Sequence, residues 1–370
     1  MPAKADNDPA KWQMEPHTKA KHDILNNYLG AWFPILSSRR GRVLYIDGFA
    51  GRGRYGDGSE GSPQIAIRRL LSHHFLPQMS DCEFVFYFLE KNADNCEALE
   101  KELDALELEI GPYPSNLKIN IINGSFDTEM AKLFELVKQQ NTRLAPTFAF
   151  IDPFGYTRFP MSVLADIAST PKSELFINFM VGSVQRWITR DKQQDAIRAL
   201  YGKEVAEVVT GMEASPDRIG HLVGVYASAL RDETSLPYIL RFDMLNNTGN
   251  VSYSLIHASG SELGVQRMKS AMWKVDPGGT YKFSDRTHGL PVLFAASPDT
   301  SPLRSLLLKK FSGRSGVTKK DIHRFTILET NFREVHATPF LKQFEQEGLI
   351  TVHRPYKKTQ FSDGVTFDFT

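Results

Sequence analysis

Residues 43–53 read Val43-Leu44-Tyr45-Ile46-Asp47-Gly48-Phe49-Ala50-Gly51-Arg52-Gly53. A short apolar run stops at an acid and gives way to three glycines. This describes a buried strand that ends in a carboxylate and turns through a loop with few Cβ atoms. Such a loop lets the backbone come close to a ligand. No Gly-Lys-Ser/Thr follows, so the loop is not of the kind that cradles a nucleoside triphosphate.

Outward from this stretch the same grammar repeats. Apolar runs at Glu83–Leu89, Leu117–Ile122, Thr147–Ile151 and Glu174–Met180 read as strands. Helical spacing predicts helices at Ser62–Leu71 (Ser62 as N-cap, Pro63 at the first helical position), Asn92–Leu108, Asp127–Gln139 and Met161–Ala168. The alternation predicts an α/β fold, a parallel sheet covered on both faces. A helix from Thr18 to Trp32 precedes it, with Pro34 expected to end it. Gln185–Thr210 and Asp217–Glu233 read as further helices. Tyr238–Leu245 and Val251–His257 read as an antiparallel hairpin around Asn246–Asn250.

The chain has 370 residues, enough for about two domains at ~150 residues each. Pro291–Pro302, with three prolines, two serines and an aspartate, is the expected linker. The expected organisation is a disordered N-terminus over 1–12, a first domain over 13–295 and a second over 296–370. In the second, Leu303–Phe311, Val317–Glu329 and Thr338–Gln346 read as helices, with Thr318 and Asp321 in capping-box positions. Leu349–His353 and Val365–Phe369 read as strands. Three short helices and a two-stranded wing describe a winged helix-turn-helix.

Two cysteines, Cys82 and Cys96, make no disulfide framework and no zinc spacing, so no metal site is expected. No apolar run approaches the ~20 residues of a membrane span. The N-terminus lacks a secretion signal's apolar stretch. A soluble, cytoplasmic protein is the expectation. The formal net charge is +1, which argues at first against a polyanion partner. Residues 301–370, however, hold 12 Lys and Arg against 7 Asp and Glu. The basic excess therefore lies at the C-terminal end.

Candidate site residues collect at the expected strand ends. Asp47, Gly48, Ala50, Gly51 and Gly53 form the first loop. Glu90 ends the second strand, where doubly wound folds bind ribose hydroxyls. It lies 43 positions after Asp47, against about 20 in a compact unit. The excess falls in Arg52–Gly61 and His73–Asp81. Ser125 and Phe126, after the third strand, suit an adenine pocket; Ser125 equally suits a helix N-cap. The fourth strand ends in Asp152-Pro153-Phe154-Gly155. A carboxylate followed by a residue without an N–H, then an aromatic ring, suits one particular problem: methylating an exocyclic amine. The carboxylate accepts the amine's N–H groups, and the ring stacks on a base taken out of its duplex. Asp-Pro-x-Gly is also a common turn.

Trp12, Glu15-Pro16-His17-Thr18, Lys21-His22, Ile24-Leu25, Tyr45 through Tyr55, Gly58, Gly61-Ser62-Pro63 and Asp152-Pro153-Phe154-Gly155 together resemble the three-Cys-motif partner protein family (TcmP). The resemblance runs through the C-terminal region. It implies a Rossmann-like class I methyltransferase sheet, parallel with an antiparallel hairpin, followed by a winged helix-turn-helix. It also implies S-adenosylmethionine as cofactor and a neighbouring three-Cys-motif protein as partner. The ribosomal-RNA adenine-N6 methyltransferases are similar in their early Lys-His pair and Asp-Pro, but carry Asp-Pro-Pro-Tyr. The tRNA guanine-N2 dimethyltransferases carry Asp-Pro-Phe-Gly. Both likenesses imply an exocyclic amine in RNA or DNA without choosing the base. They also bring Thr18, Lys21 and His22 toward the cofactor, although His22 reads equally as a helix-surface residue.

Lys319, Lys320 and Arg324 precede the second domain's third helix, and Arg354, Lys357 and Lys358 flank its wing. Such groups suit phosphates, although winged helices also bind proteins. Two functions follow as expectations. The first is an S-adenosylmethionine-dependent N-methyltransferase acting on a nucleic-acid base. The alternative is a cofactor-binding accessory protein that docks a three-Cys-motif enzyme and performs no transfer of its own.

Overall fold

The computed structural model describes residues 13–38, 41–284, 298–355, 361 and 364–370. The expected disordered stretch 1–12 and most of the linker lie outside these residues. The chain divides into two compact units, Met1–Ser261 with Lys282–Leu290, and Glu262–Tyr281 with Pro291–Thr370.

The first unit is an eight-stranded sheet with helices. In chain order its elements are α1 (Pro16–Ser37), β1 (Gly41–Asp47), α2 (Ser62–Leu71), β2 (Cys82–Glu90), α3 (Ala93–Ile110), β3 (Leu117–Asn123), α4 (Phe126–Gln139), β4 (Thr147–Ile151), α5 (Met161–Ala168), β5 (Glu174–Phe179), α6 (Val181–Trp187), α7 (Gln194–Tyr201), α8 (Val205–Val209), α9 (Arg218–Glu233), β6 (Tyr238–Leu245), β7 (Val251–Ser259) and β8 (Lys282–Ser284). The strand order is β3-β2-β1-β4-β5-β7-β6-β8. β1 to β5 pair in parallel, and β7 runs antiparallel to both β5 and β6. The sheet is thus mostly parallel, as the alternation predicts. Its order reverses between β1 and β4, where ligand crevices form in doubly wound sheets.

The strands explain their own composition. Successive residues point to opposite faces, and both faces are buried. One face is aromatic: Tyr45, Phe84, Phe86, Phe88, Phe148, Phe150 and Phe176. α1 covers it with Tyr28, Trp32 and Phe33, whose rings lie 5.3–6.0 Å from those of Phe148, Phe84 and Phe86. The other face is aliphatic, with Leu44, Ile46, Val85, Leu89, Ala149, Ile151, Leu175 and Ile177.

Three local expectations need correction. Pro34 does not end α1 but lies inside it. Its missing N–H frees the carbonyl of Gly30, one turn earlier, and His73 Nε2 donates to that oxygen at 3.0 Å. The N-cap of α2 is Gly61, so Pro63 sits at the second helical position. Gln185–Thr210 is not one helix. It is the end of α6, a turn at Asp191–Gln193, α7 and α8, broken where Gly202 adopts φ +64.

The second unit contains α10 (Glu262–Val275), α11 (Ser301–Phe311), β9 (Val317–Thr318), α12 (Lys319–Glu329), α13 (Ala337–Gln346), β10 (Ile350–His353) and β11 (Thr366–Phe369). Its sheet has three strands in the order β10-β11-β9, where two were expected. β9 takes the first two residues of the expected helix Val317–Glu329, and Thr318 and Asp321 form both arms of the capping box. The expected first domain, running to residue 295, counted α10 with the large sheet; α10 belongs instead to the second unit. Lys269 of α10, 1% exposed, donates to the carbonyls of Thr326, Ile327, Thr330 and Phe332 at 2.5–3.2 Å. It caps the C-terminal turn of α12, whose last carbonyls lack intrahelical donors. Trp273 Nε1 adds a bond to the Asn331 carbonyl at 2.9 Å.

Candidate active site

The carboxyl ends of β1, β2, β3 and β4 open on a cavity of about 380 Å³. The glycine loop after β1 forms one wall. Its backbone is tied to both neighbouring strands, Gly48 N–H to the Phe150 carbonyl and Ala50 N–H to that of Leu89, each at 2.9 Å. A Cβ on Gly48 would stand 2.7 Å from the Phe126 ring. Gly53, at φ +87, would place one 2.9 Å from Leu99. These two glycines are therefore needed for close packing as well as for approach to a ligand.

Asp47 is fully buried. Its Oδ1 accepts the Phe49 amide at 3.2 Å, while Oδ2 has no hydrogen-bond partner. Burial pushes its pKa up to about 7, against the pull of Ser62 and the Phe49 amide. Glu90 clamps two loops: Oε2 accepts Gly51 N–H at 3.0 Å and Oε1 accepts Asn92 N–H at 2.7 Å. Phe126 is buried, its ring 5.8 Å from that of Phe49. Ser125 is the N-cap residue of α4 but makes no side-chain cap bond; its hydroxyl donates to Asp127 Oδ1 at 2.6 Å.

Asp152 sits just past the tip of β4. Its Oδ2 pairs with Lys21 Nζ, and its Oδ1 accepts Asn178 Nδ2 at 2.6 Å. Burial alone would raise its pKa; the charge and hydrogen bond of Lys21, with help from Asn178, hold it below the ordinary carboxylate range. Pro153 is buried beside it. Phe154 is 85% exposed on the cavity's rim. Gly155 completes the turn at φ +132, a value that residues with a Cβ avoid.

Of the residues singled out from sequence, His22, Gly48, Ala50, Gly51, Gly53, Glu90, Ser125, Phe126, Asp152, Pro153 and Phe154 line this one cavity. Asp47, Thr18 and Lys21 do not. Thr18 is half-buried on the first turn of α1. Lys21 is buried and turned to Asp152. His22 is a cavity wall and not a helix-surface group; burial, and then the charge of Lys21, bring its pKa down to about 3. Sequence reasoning missed Asn178, Tyr55 and Arg158. Asn178 carried a signal, being the lone amide in the apolar run Glu174–Phe179. Tyr55 carried only its place in the family-like stretch Tyr45 through Tyr55, and Arg158 carried none; loop geometry brings both to the cavity.

The predicted basic residues of the second unit are mostly engaged by their neighbours. Arg354 forks onto both oxygens of Glu345 at 2.6 and 2.7 Å. Arg324 pairs with Glu262 at 2.7 Å, and Lys319 donates to the Phe361 carbonyl at 3.0 Å. Lys320 is exposed. Lys357 and Lys358 lie outside the described residues. Among the described residues, no three His, Cys, Asp or Glu side chains gather as a metal site would. Among the same residues, no helix is long and apolar enough to cross a membrane.

The sequence matches no family model and no curated protein, so the three-Cys-motif partner resemblance rests on its motif residues. Among solved structures, the chain is similar to an O-methyltransferase from Bacillus cereus in complex with SAH, at 13% identity and a TM-score of 0.32, covering 64% of this chain and 80% of that one. It is also similar to the cyclopropane synthase MmaA2 from Mycobacterium tuberculosis, at 10% identity and a TM-score of 0.26, covering 66% and 68%.

Proposed function

We propose that this protein is an S-adenosylmethionine-dependent N-methyltransferase acting on an exocyclic amine of a nucleic-acid base. One observation carries the reading. Asp152, its carboxyl held below the ordinary range, and an 85% exposed Phe154 line the same cavity as the glycine loop. S-adenosylmethionine supplies an electrophilic methyl group when bound. The residues fit such a group. The loop packs so closely that a Cβ on Gly48 has no room, and the cavity is bounded by Glu90 and Phe126. Glu90 would accept ribose hydroxyls, and Phe126 would pack on the adenine.

Asp152 accepts the acceptor amine's N–H and helps aim the nitrogen lone pair. Both its oxygens already hold one donor, and a carboxylate has about four acceptor sites, so room for an amine remains. Pro153 offers no competing N–H, and Phe154 stacks on the base. The second unit reads as a winged helix-turn-helix, supported by the order α11, β9, α12, α13, β10, β11.

Calorimetric titration with S-adenosylmethionine, followed by labelled methyl transfer to total RNA and DNA with nucleoside mass spectrometry, tests the reading. Micromolar binding and a labelled base support it. No cofactor binding by folded protein removes it. The second reading, an accessory protein docking a three-Cys-motif enzyme with no transfer of its own, draws on the pairing of Lys21 with Asp152, which gives that carboxylate a partner within the chain. It predicts cofactor binding without turnover unless that partner is present.

A further inference from the structure

The carboxyl ends of β4 and β5 carry a surface that the cavity chemistry leaves unused. α6 turns Val181 and Val184 inward, with Ile188 just beyond it on the same face. Arg186 and Trp187 are turned outward, and Trp187 is 39% exposed. A tryptophan on the polar side of a helix is more informative than one in the core. The Arg190 guanidinium lies over its ring, 5.8 Å from the centroid, and exposed Lys192 follows. From the β4 side come Phe154 and exposed Arg158. Arg158 is held at φ +71, a conformation costly for a residue with a Cβ and concentrated at functional sites. The two segments are tied together. Tyr156 donates to Gln193 Oε1 at 2.7 Å, and Asn178 donates to Asp152 Oδ1 at 2.6 Å.

Among the described residues, Arg158, Arg186, Arg190 and Lys192 form no ion pair. Nearby Asp195 and Glu204 are both taken by Arg198, which leaves Asp191 as the one acid within the run. Exposed rings interleaved with unneutralised cations are the two ingredients of a single-strand groove: base faces stack, and the backbone is tracked by charge. A duplex hides its base faces, so it cannot use the rings.

We infer that this rim is the entry surface for single-stranded nucleic acid, with Phe154 and Trp187 stacking unpaired bases and Arg158, Arg186, Arg190 and Lys192 facing phosphates. The inference deepens the nucleic-acid reading above. It moves backbone recognition from the C-terminal unit to the unit that holds the cavity.

The test is fluorescence anisotropy of the full chain, without cofactor. The probes are labelled single strands of about 12 nucleotides, RNA and DNA of one sequence, and the matching duplex. The single strands should bind well above the duplex. Arg186→Glu with Arg190→Glu should weaken binding at least about ten-fold and flatten the salt slope by about 1.4, at ~0.7 per phosphate contact. Trp187→Ala should weaken it about ten-fold. Thermal midpoints equal to wild type show that the variants fold. Four outcomes overturn the inference: no binding to either strand, equal binding to duplex, displacement by polyglutamate as effective as by unlabelled oligonucleotide, or full affinity in the charge-reversed variant. Failure to bind S-adenosylmethionine with oligonucleotide binding intact removes the methyltransferase reading and leaves this one standing.

Discussion

Arg158, Arg186 and Arg190 of the first unit and Arg304, Arg324 and Arg354 of the second share one chemistry in opposite settings. The second set is neutralised in place, by Glu347, Glu262 and Glu345 at 2.6–2.7 Å, and Lys310 is likewise bound to Glu329. The first set stands beside exposed rings without such partners among the described residues. A fork onto a carboxylate uses the same N–H groups that would reach a phosphate. Net charge along the chain therefore misleads about where a polyanion would bind. The last seventy residues hold the larger excess of cations, but much of it is spent on holding their own elements together.

Breaking the comparison at its chemical end has the largest expected effect. Asp152→Ala should lower methyl transfer about a hundred-fold or more while leaving oligonucleotide and cofactor affinity within a few-fold. Radiolabel incorporation on the true substrate checks this, and undiminished turnover refutes the role of Asp152. Next comes the claim that the second unit's cations are structural. Lys269→Met removes the ammonium shared by four carbonyls, of which that of Thr326 keeps the Thr330 hydroxyl, and should destabilise that unit by about 3 kcal/mol, with little change to the first. Denaturant unfolding followed by a tryptophan probe at Trp273 reads the difference.

The pH dependence sharpens the first unit's side. Asp47 has a raised pKa of about 7, so the folded state binds more protons than the unfolded one from about pH 4 to 7. Stability from this group therefore falls as pH rises through that window. His22, lowered to about 3, acts in the opposite sense: it stays neutral when folded and loses stability as pH falls from about 6.5. Asp47→Asn should raise the urea midpoint at pH 8 relative to pH 5, and an unchanged difference between the two would refute the assignment. The smallest effect belongs to Arg354→Ala, expected to change single-strand affinity less than about two-fold because an already paired side chain is removed. A ten-fold loss there would reverse the comparison.

Much of the site was legible. The acids at strand tips, the glycines between them and the Asp-Pro-Phe-Gly turn are local in sequence, and a parallel sheet brings its strand ends to one edge. α10 escaped notice because Lys269 lies on its buried face, among Val265, Met268 and Met272, and breaks the apolar stripe. Pro34 misled because the donor that satisfies Gly30 comes from His73, 43 residues away.

The strand and helix alternation and the residues at the strand ends follow from period and adjacency in the chain alone. Packing set that Lys21 meets Asp152 across 131 positions, and that one set of arginines meets carboxylates while another, among the described residues, does not. Those outcomes depend on which side chains packing brings within a few ångströms, and at that range desolvation and pairing override the formal charge of a residue.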